Sequence, residues 1–174
     1  MQTNILEYLD QSVLRVPDKL AFGGVTEADG FTFAQVNDVS QSIGSALLAR
    51  GLRKEPVVVF MDRHPSAVVA FLGVLQAGCY YVPIDQEMPR IRIDLILENL
   101  HPRAIICDET TIEVAKTFTF DGELLMLPIS ALPASTKWLW PGSVRTLWIS
   151  ILLTCSLPPV PPVSPRVLPA AIAH

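Results

Sequence analysis

The chain has 174 residues, half of them hydrophobic, with a formal net charge of -4. That length suffices for one domain with a sizeable core. The acidic balance argues against nucleic acid or an anionic membrane surface as the main partner.

Asn4 opens a first helix, with Glu7 three residues on completing a capping box. Ile5, Leu6, Leu9, Val13 and Val16 form its apolar stripe, and Pro17 ends it. Leu20–Phe22 and Phe31–Phe33 flank the turn-rich Gly23–Gly30 and read as a hairpin. Thr32 with Gln35 repeats the capping-box signal and starts a long helix to about Arg50, with Val36, Val39, Ile43, Leu47 and Leu48 inward and Gly51 as its stop. Pro56–Met61 is a continuous apolar run, the mark of a parallel strand buried on both faces. Pro65 opens the next helix, where its missing N–H costs nothing. That helix carries Val68, Val69, Phe71, Leu72 and Leu75 and stops at Gly78. Tyr80, Tyr81 and Val82 then suit a short strand, closed by Pro83. Pro89 opens a helix through Ile93, Ile96, Leu97 and Leu100. Ala104–Cys107 is a short buried strand, Thr111–Lys116 a weaker helix, and Leu124–Leu127 one more strand. Strands alternating with helices give an α/β fold of βαβ units around a parallel sheet, with right-handed crossovers.

Side chains with chemical potential are scattered. Cys79, Cys107 and Cys155 are odd in number and form no metal-type pair. Cys79 and Cys107 sit in apolar runs and read as core thiols, and reduced cysteines point to the cytoplasm. His64 and His101 are isolated, each beside a proline, and read as helix-start or turn residues. Asp62 and Arg63 read as a structural pair at a strand end, and Asp85 as a turn residue. The N-terminus has no basic or apolar signal region, and the apolar run Leu147–Cys155 is too short to span a bilayer.

Composition divides the chain. All 17 Asp and Glu residues lie at or before Glu123, and the last 51 residues hold none. That stretch carries 7 of the 15 prolines from Pro141 onward, and all three tryptophans, Trp138, Trp140 and Trp148. The expected organisation is therefore a folded part, residues 1–130, and a different kind of sequence, residues 131–174, expected to be disordered.

Motifs in the first part carry a resemblance. Leu75-Gln-Ala-Gly-Cys-Tyr-Tyr-Val-Pro-Ile-Asp85, followed by Glu87-Met-Pro89, resembles the second core motif of adenylation domains, the AMP-forming acyl- and amino-acid-activating ligases. Phe31-Thr-Phe-Ala-Gln-Val36 is similar to their first core motif, and Ser42–Gly51 continues it. Asp62-Arg63-His64-Pro65 sits where such enzymes carry a D-R-S-type turn, and Pro102–Ile106 resembles the strand that follows the second motif. The likeness covers roughly residues 4–110 and favours amino-acid-activating members, as in nonribosomal peptide synthetases and D-alanine–carrier-protein ligases. It implies the parallel-sheet layered N-terminal subdomain of an adenylate-forming enzyme, truncated. The intact family enzyme would use ATP and Mg²⁺ to adenylate a carboxylate, and would pass the acyl group to a carrier-protein phosphopantetheine thiol. The family's phosphate loop, T-S-G-[ST]-T-G-x-P-K-G, is absent here, as are its later ribose-binding aspartate, its Mg²⁺ acid and its C-terminal lysine. No residue of this chain is therefore assigned a catalytic, cofactor-binding or metal-ligating role, and the fragment is expected to bind no cofactor and to be inactive.

The tail suggests why the loop is missing. Reading the codons implied by Ser156–Val167 from the third base of each permits F-T-S-G-S-T-G-V-P-K-G-V, the phosphate loop in order. Ser150 to Thr154 permits its D-L-A-Y lead-in, and Ala171 to Ala173 the His-Arg pair that follows it in the family. The expectation is a frameshift. Two alternatives stand beside it. One is a non-enzymatic α/β interaction module whose Pro158-Pro-Val-Pro-Pro162 segment is a polyproline ligand for an SH3-like domain. The other is a small free-standing nucleotide-binding protein, which would need a Gly-rich phosphate loop after a strand, and Gly78 alone does not supply one.

Overall fold

A computed structural model describes residues 4–25 and 30–128. In chain order these form α1 (Ile5–Arg15), β1 (Leu20–Phe22), β2 (Phe31–Thr32), α2 (Phe33–Ala49), β3 (Pro56–Phe60) and α3 (Pro65–Gln76). There follow β4 (Tyr80–Ile84), α4 (Arg90–Leu100), β5 (Ala104–Cys107), α5 (Ile112–Ala115) and β6 (Glu123–Met126). Strands β3 to β6 make one all-parallel sheet in the order β4-β3-β5-β6. β1 and β2 pair antiparallel as a separate hairpin. The α/β class and the parallel sheet expected from the sequence hold. The expected disordered tail, with Trp138 and Cys155, lies outside the described residues.

The apolar run of β3 works because successive side chains leave opposite faces of a strand. Val57 and Val59 enter one core with Ile43, Leu47, Val69, Ile106 and Leu125, beneath α1, α2 and α3. Val58 and Phe60 enter a second core with Ile93, Leu97, Ile105, Ala115 and Phe118, beneath α4 and α5. Both faces of the sheet are thus covered, as a parallel sheet requires. α2 and α3 cross closely: a Cβ on Gly73 would lie 2.6 Å from Ile43 Cβ, and one on Gly44 would lie 2.6 Å from Gln76 Cβ.

Caps place the helices. Thr32 and Gln35 form the full reciprocal box at α2. At α1 the Asn4 side chain accepts the Glu7 N–H at 3.0 Å and donates its own amide to Glu7 Oε1 at 3.2 Å. The apolar stripe of α1 is narrower than expected. Leu9 is buried and Leu6 and Val13 pack on the core, but Ile5 and Val16 are exposed. The helix rests chiefly on α2 and α3.

The helix-to-strand joint is confirmed in detail. Gly78, at φ +70°, donates its N–H to Leu75 O at 2.9 Å, and Cys79 donates to Val74 O at 3.2 Å. This is the paired hydrogen-bond pattern that ends helices through a left-handed glycine, with buried Val74 and Cys79 supplying the apolar contact. Pro83 does not close the strand as expected. β4 runs on to Ile84, and Pro83 pairs in register with Val59. The N–H of Tyr80 points inward, donating to Glu55 O at 3.2 Å. Two-residue alternation then turns the Pro83 nitrogen to the outer edge, where no ladder bond is lost.

Candidate functional site at the carboxyl edge of the sheet

Each of the three strands β3, β4 and β5 runs into an aspartate: Asp62 after Met61, Asp85 after Ile84 and Asp108 after Cys107. Parallel strands bring these to one edge of the sheet. The chain leaves β3 toward β4 through α3 on one face and returns to β5 through α4 on the other. The order therefore reverses between β3 and β5, the position where open α/β sheets usually take their ligands.

Here that crevice is filled. Asp108 and Thr111 are fully buried, at 0% and 1% exposure. Asp108 Oδ1 accepts from the N–H groups of Thr110 and Thr111, both at 2.9 Å, and from Thr110 Oγ1 at 2.6 Å. Its Oδ2 accepts from the Asp62 N–H at 3.3 Å, tying β5 to β3. Thr111 Oγ1 stands 2.8 Å from Phe60 O and accepts from the Asp108 N–H at 3.1 Å. Burial pushes the Asp108 carboxyl up, but the hydrogen bonds from Thr110, Thr111 and Asp62 outweigh it and hold the group below the ordinary carboxylate value. This knot was not singled out from the sequence. The Asp108-Glu-Thr-Thr111 run between a strand and a helix was the available signal, since Asp side chains bond backbone two and three residues on.

Beside the knot, over β3, β4, α3 and the end of β1, opens a cleft of about 600 Å³. Phe22, Met61, Val68, Phe71 and Pro83 give it an apolar lining, and Asp62, Arg63, His64 and Asp85 its polar groups. Phe71 and Tyr81 stack with ring centroids 4.5 Å apart. Asp62 and Arg63 do meet, but only through the Arg63 N–H, 2.7 Å from Asp62 Oδ1. The guanidinium of Arg63 crosses instead to Asp85 at 2.8 Å, with Glu87 at 3.5 Å. The expected Asp62–Arg63 pair at the strand end is thus made through the Arg63 backbone, and the Arg63 guanidinium adds a bridge to Asp85 at the neighbouring strand end. The Glu87 N–H and then Arg63 lower the Asp85 carboxyl, and Asp85 raises Arg63 in turn. Asp85 is also the turn residue expected, since its Oδ1 accepts from the Glu87 N–H at 2.9 Å.

The remaining singled-out residues are structural. His64 caps α3, its Nδ1 accepting from the Ser66 N–H at 3.2 Å. His101 ends α4 in the left-handed conformation at φ +48°, a turn role at a helix end. Cys79 and Cys107 are buried free thiols, and burial followed by the Asp108 charge pushes Cys107 up to about 12. Among the described residues no three His, Cys, Asp or Glu groups are placed to hold a metal. The cleft's carboxylates oppose a polyphosphate. Its walls are shaped for apolar groups, with acids and one arginine at fixed points.

Comparison places this architecture. A sheet of order β4-β3-β5-β6 with helices on both faces is a doubly wound α/β unit. The family described as AMP-binding enzyme matches residues 9–143, and the chain belongs to that family of adenylate-forming ligases. It is 29% identical over 132 residues to tyrocidine synthase 1 of Brevibacillus parabrevis, covering 75% of this chain and 12% of that protein. It is 31% identical over 113 residues to the D-alanine–D-alanyl carrier protein ligase of Listeria welshimeri, covering 63% of this chain and 21% of that one. The solved anthranilate CoA ligase AuaEII, in complex with anthranoyl-AMP, shares the fold with a TM-score of 0.64 at 18% identity, over 85% of this chain and 27% of that chain. The chain thus spans between about an eighth and a quarter of the length of these relatives. Among the described residues no helix is long and apolar enough to cross a membrane.

Proposed function

We propose that this chain is the leading segment of an amino-acid-activating adenylation domain, and that its residues 131–174 are written in a shifted reading frame. In the intact enzyme a carboxylate, preferably of an amino acid, attacks the α-phosphate of ATP. An acyl-adenylate forms and pyrophosphate leaves. The acyl group then passes to a carrier-protein phosphopantetheine thiol, with release of AMP. The likeness to a D-alanine–D-alanyl carrier protein ligase supports this substrate class. A cytoplasmic setting follows from the chemistry, which draws on ATP.

One observation carries the reading. The phosphate loop is missing from the chain as written, yet the third-base frame of Ser156–Val167 permits it in order. Phosphoryl and adenylyl transfer rest on positioning and on charge stabilisation around the phosphates. The groups that supply these lie outside residues 4–128. In this reading the segment is scaffold: it binds neither ATP nor Mg²⁺, and it catalyses nothing alone.

The test is amino-acid-dependent exchange of pyrophosphate into ATP. The 174-residue chain should show none, and the product of a frame-corrected gene should show it. Exchange by the 174-residue chain alone would contradict the proposal and turn the search to Asp62, Arg63 and Asp85. The proline segment favours a second reading, an interaction module with an SH3-type ligand. Saturable binding of Pro158–Pro162 to an SH3 domain, with an inactive frame-corrected product, would favour it.

A further inference from the structure

Helix α4 is apolar on two sides. Ile93 and Leu97 are buried in the second core, at 3% and 2% exposure. On the outer side Ile91 and Leu95 stand four residues apart, which stacks them on one face of the helix, at 78% and 53% exposure. Leu95 is also one wall of a shallow groove of about 390 Å³, with Arg92, Ile96, Asn99 and Leu100 as the others. An apolar ridge beside a groove is the relief by which helices pack on one another.

The charges of α4 say what fits this face. Arg90 and Asp94 bridge each other at 2.7 Å, and Arg90 also donates to Thr117. Arg92 and Glu98 are exposed, and among the described residues no ion pair uses either. They also stand against the helix dipole, a cation in the first turn and an anion in the last, so α4 itself gains nothing from them. Both are surface neighbours of Leu95, three residues before it and three after. The pattern is complementary to itself. A second copy of α4, laid antiparallel about a two-fold axis at Leu95, sets Arg92 of each copy level with Glu98 of the other. Ile91 comes level with Asn99, and Leu95 meets Leu95. Parallel pairing would instead set like charges level with each other.

We propose that this outer face of α4 docks a second copy of the same chain, antiparallel and two-fold symmetric. Leu95 of each copy seats at the groove of the other, and two Arg92–Glu98 pairs close the rim. Such an isologous contact needs the self-complementarity that the face has. The contact is one helix wide, small beside a permanent dimer interface, so the association is reversible and concentration-dependent.

Sedimentation equilibrium of the 174-residue chain, from micromolar to millimolar concentration, tests this. The average mass should climb from one chain toward two. Arg92→Glu sets acids against acids and Glu98→Arg bases against bases, so each should weaken self-association by about tenfold or more. Mixed in equal amounts, these two variants carry opposite rims and should associate with each other. The double variant Arg92→Glu/Glu98→Arg keeps the complementarity and should dimerise like the parent, which separates loss of pairing from loss of folding. A parent that stays monomeric throughout overturns the proposal, whether the face is bare or covered by residues 131–174. A dimer that survives both single changes lies on another face and overturns it as well. So does failure of the mixed single variants and of the double variant to associate.

Discussion

Asp108 holds the carboxyl ends of β3 and β5 together, and its removal has a definite cost. Asp108→Asn keeps the shape but turns an NH₂ toward at least one of the N–H donors from Asp62, Thr110 and Thr111. A buried donor left without an acceptor costs roughly 1–3 kcal/mol. Urea unfolding at neutral pH should show a loss of that size. The sign with pH follows from the lowered carboxyl. Its contribution is complete above the unfolded carboxylate value of about 3.9, and is lost as pH falls through the lower folded value. Acidification should therefore destabilise the parent more steeply than Asp108→Asn, and parallel acid limbs would contradict the assignment. Arg63 and Asp85 form an exposed bridge, with Arg63 at 78% exposure, so Arg63→Ala should leave the urea midpoint close to the parent's.

At the scale of elements, glycine sets two constraints of different kinds. Gly73 is a matter of space. Alanine there raises helix propensity by about 1 kcal/mol, but its Cβ would press on Ile43 at 2.6 Å. Overpacking typically costs about 1–3 kcal/mol, so Gly73→Ala should lower the thermal midpoint. Gly78 is a matter of backbone. Nothing lies within 4 Å of a Cβ there, but φ is +70°, so Gly78→Ala should cost roughly 1–2 kcal/mol and Gly78→Asn less. Both effects read out in thermal unfolding. The Gly78 stop was legible in the sequence, because a glycine after an apolar helix announces its own geometry. Capping signals at Asn4 and Thr32, and the doubly buried β3, were legible for the same local reason. The Gly73–Ile43 contact, the Arg63–Asp85 bridge and the outward turn of Pro83 were not. Each depends on which element lies alongside, and residue types within one segment do not carry that. The cleft over β3 and β4 was hidden likewise, since β1 contributes Phe22 from far upstream.

For the whole molecule, the described residues 4–25 and 30–128 form both cores of the sheet together with helices that cover its two faces. If residues 131–174 are out of frame, they were never selected to pack on those cores. Deleting them should leave the thermal midpoint within about 2 °C of the parent. The central claim is that the gene holds the chain's continuation one frame away, and sequencing the DNA from the codons of Ala131–Arg145 onward tests it most directly. The account predicts a third-base frame that encodes the phosphate loop across Ser156–Val167, then the His-Arg pair, and stays open well past the codon of His174. A stop codon in that frame before the His-Arg pair would contradict it.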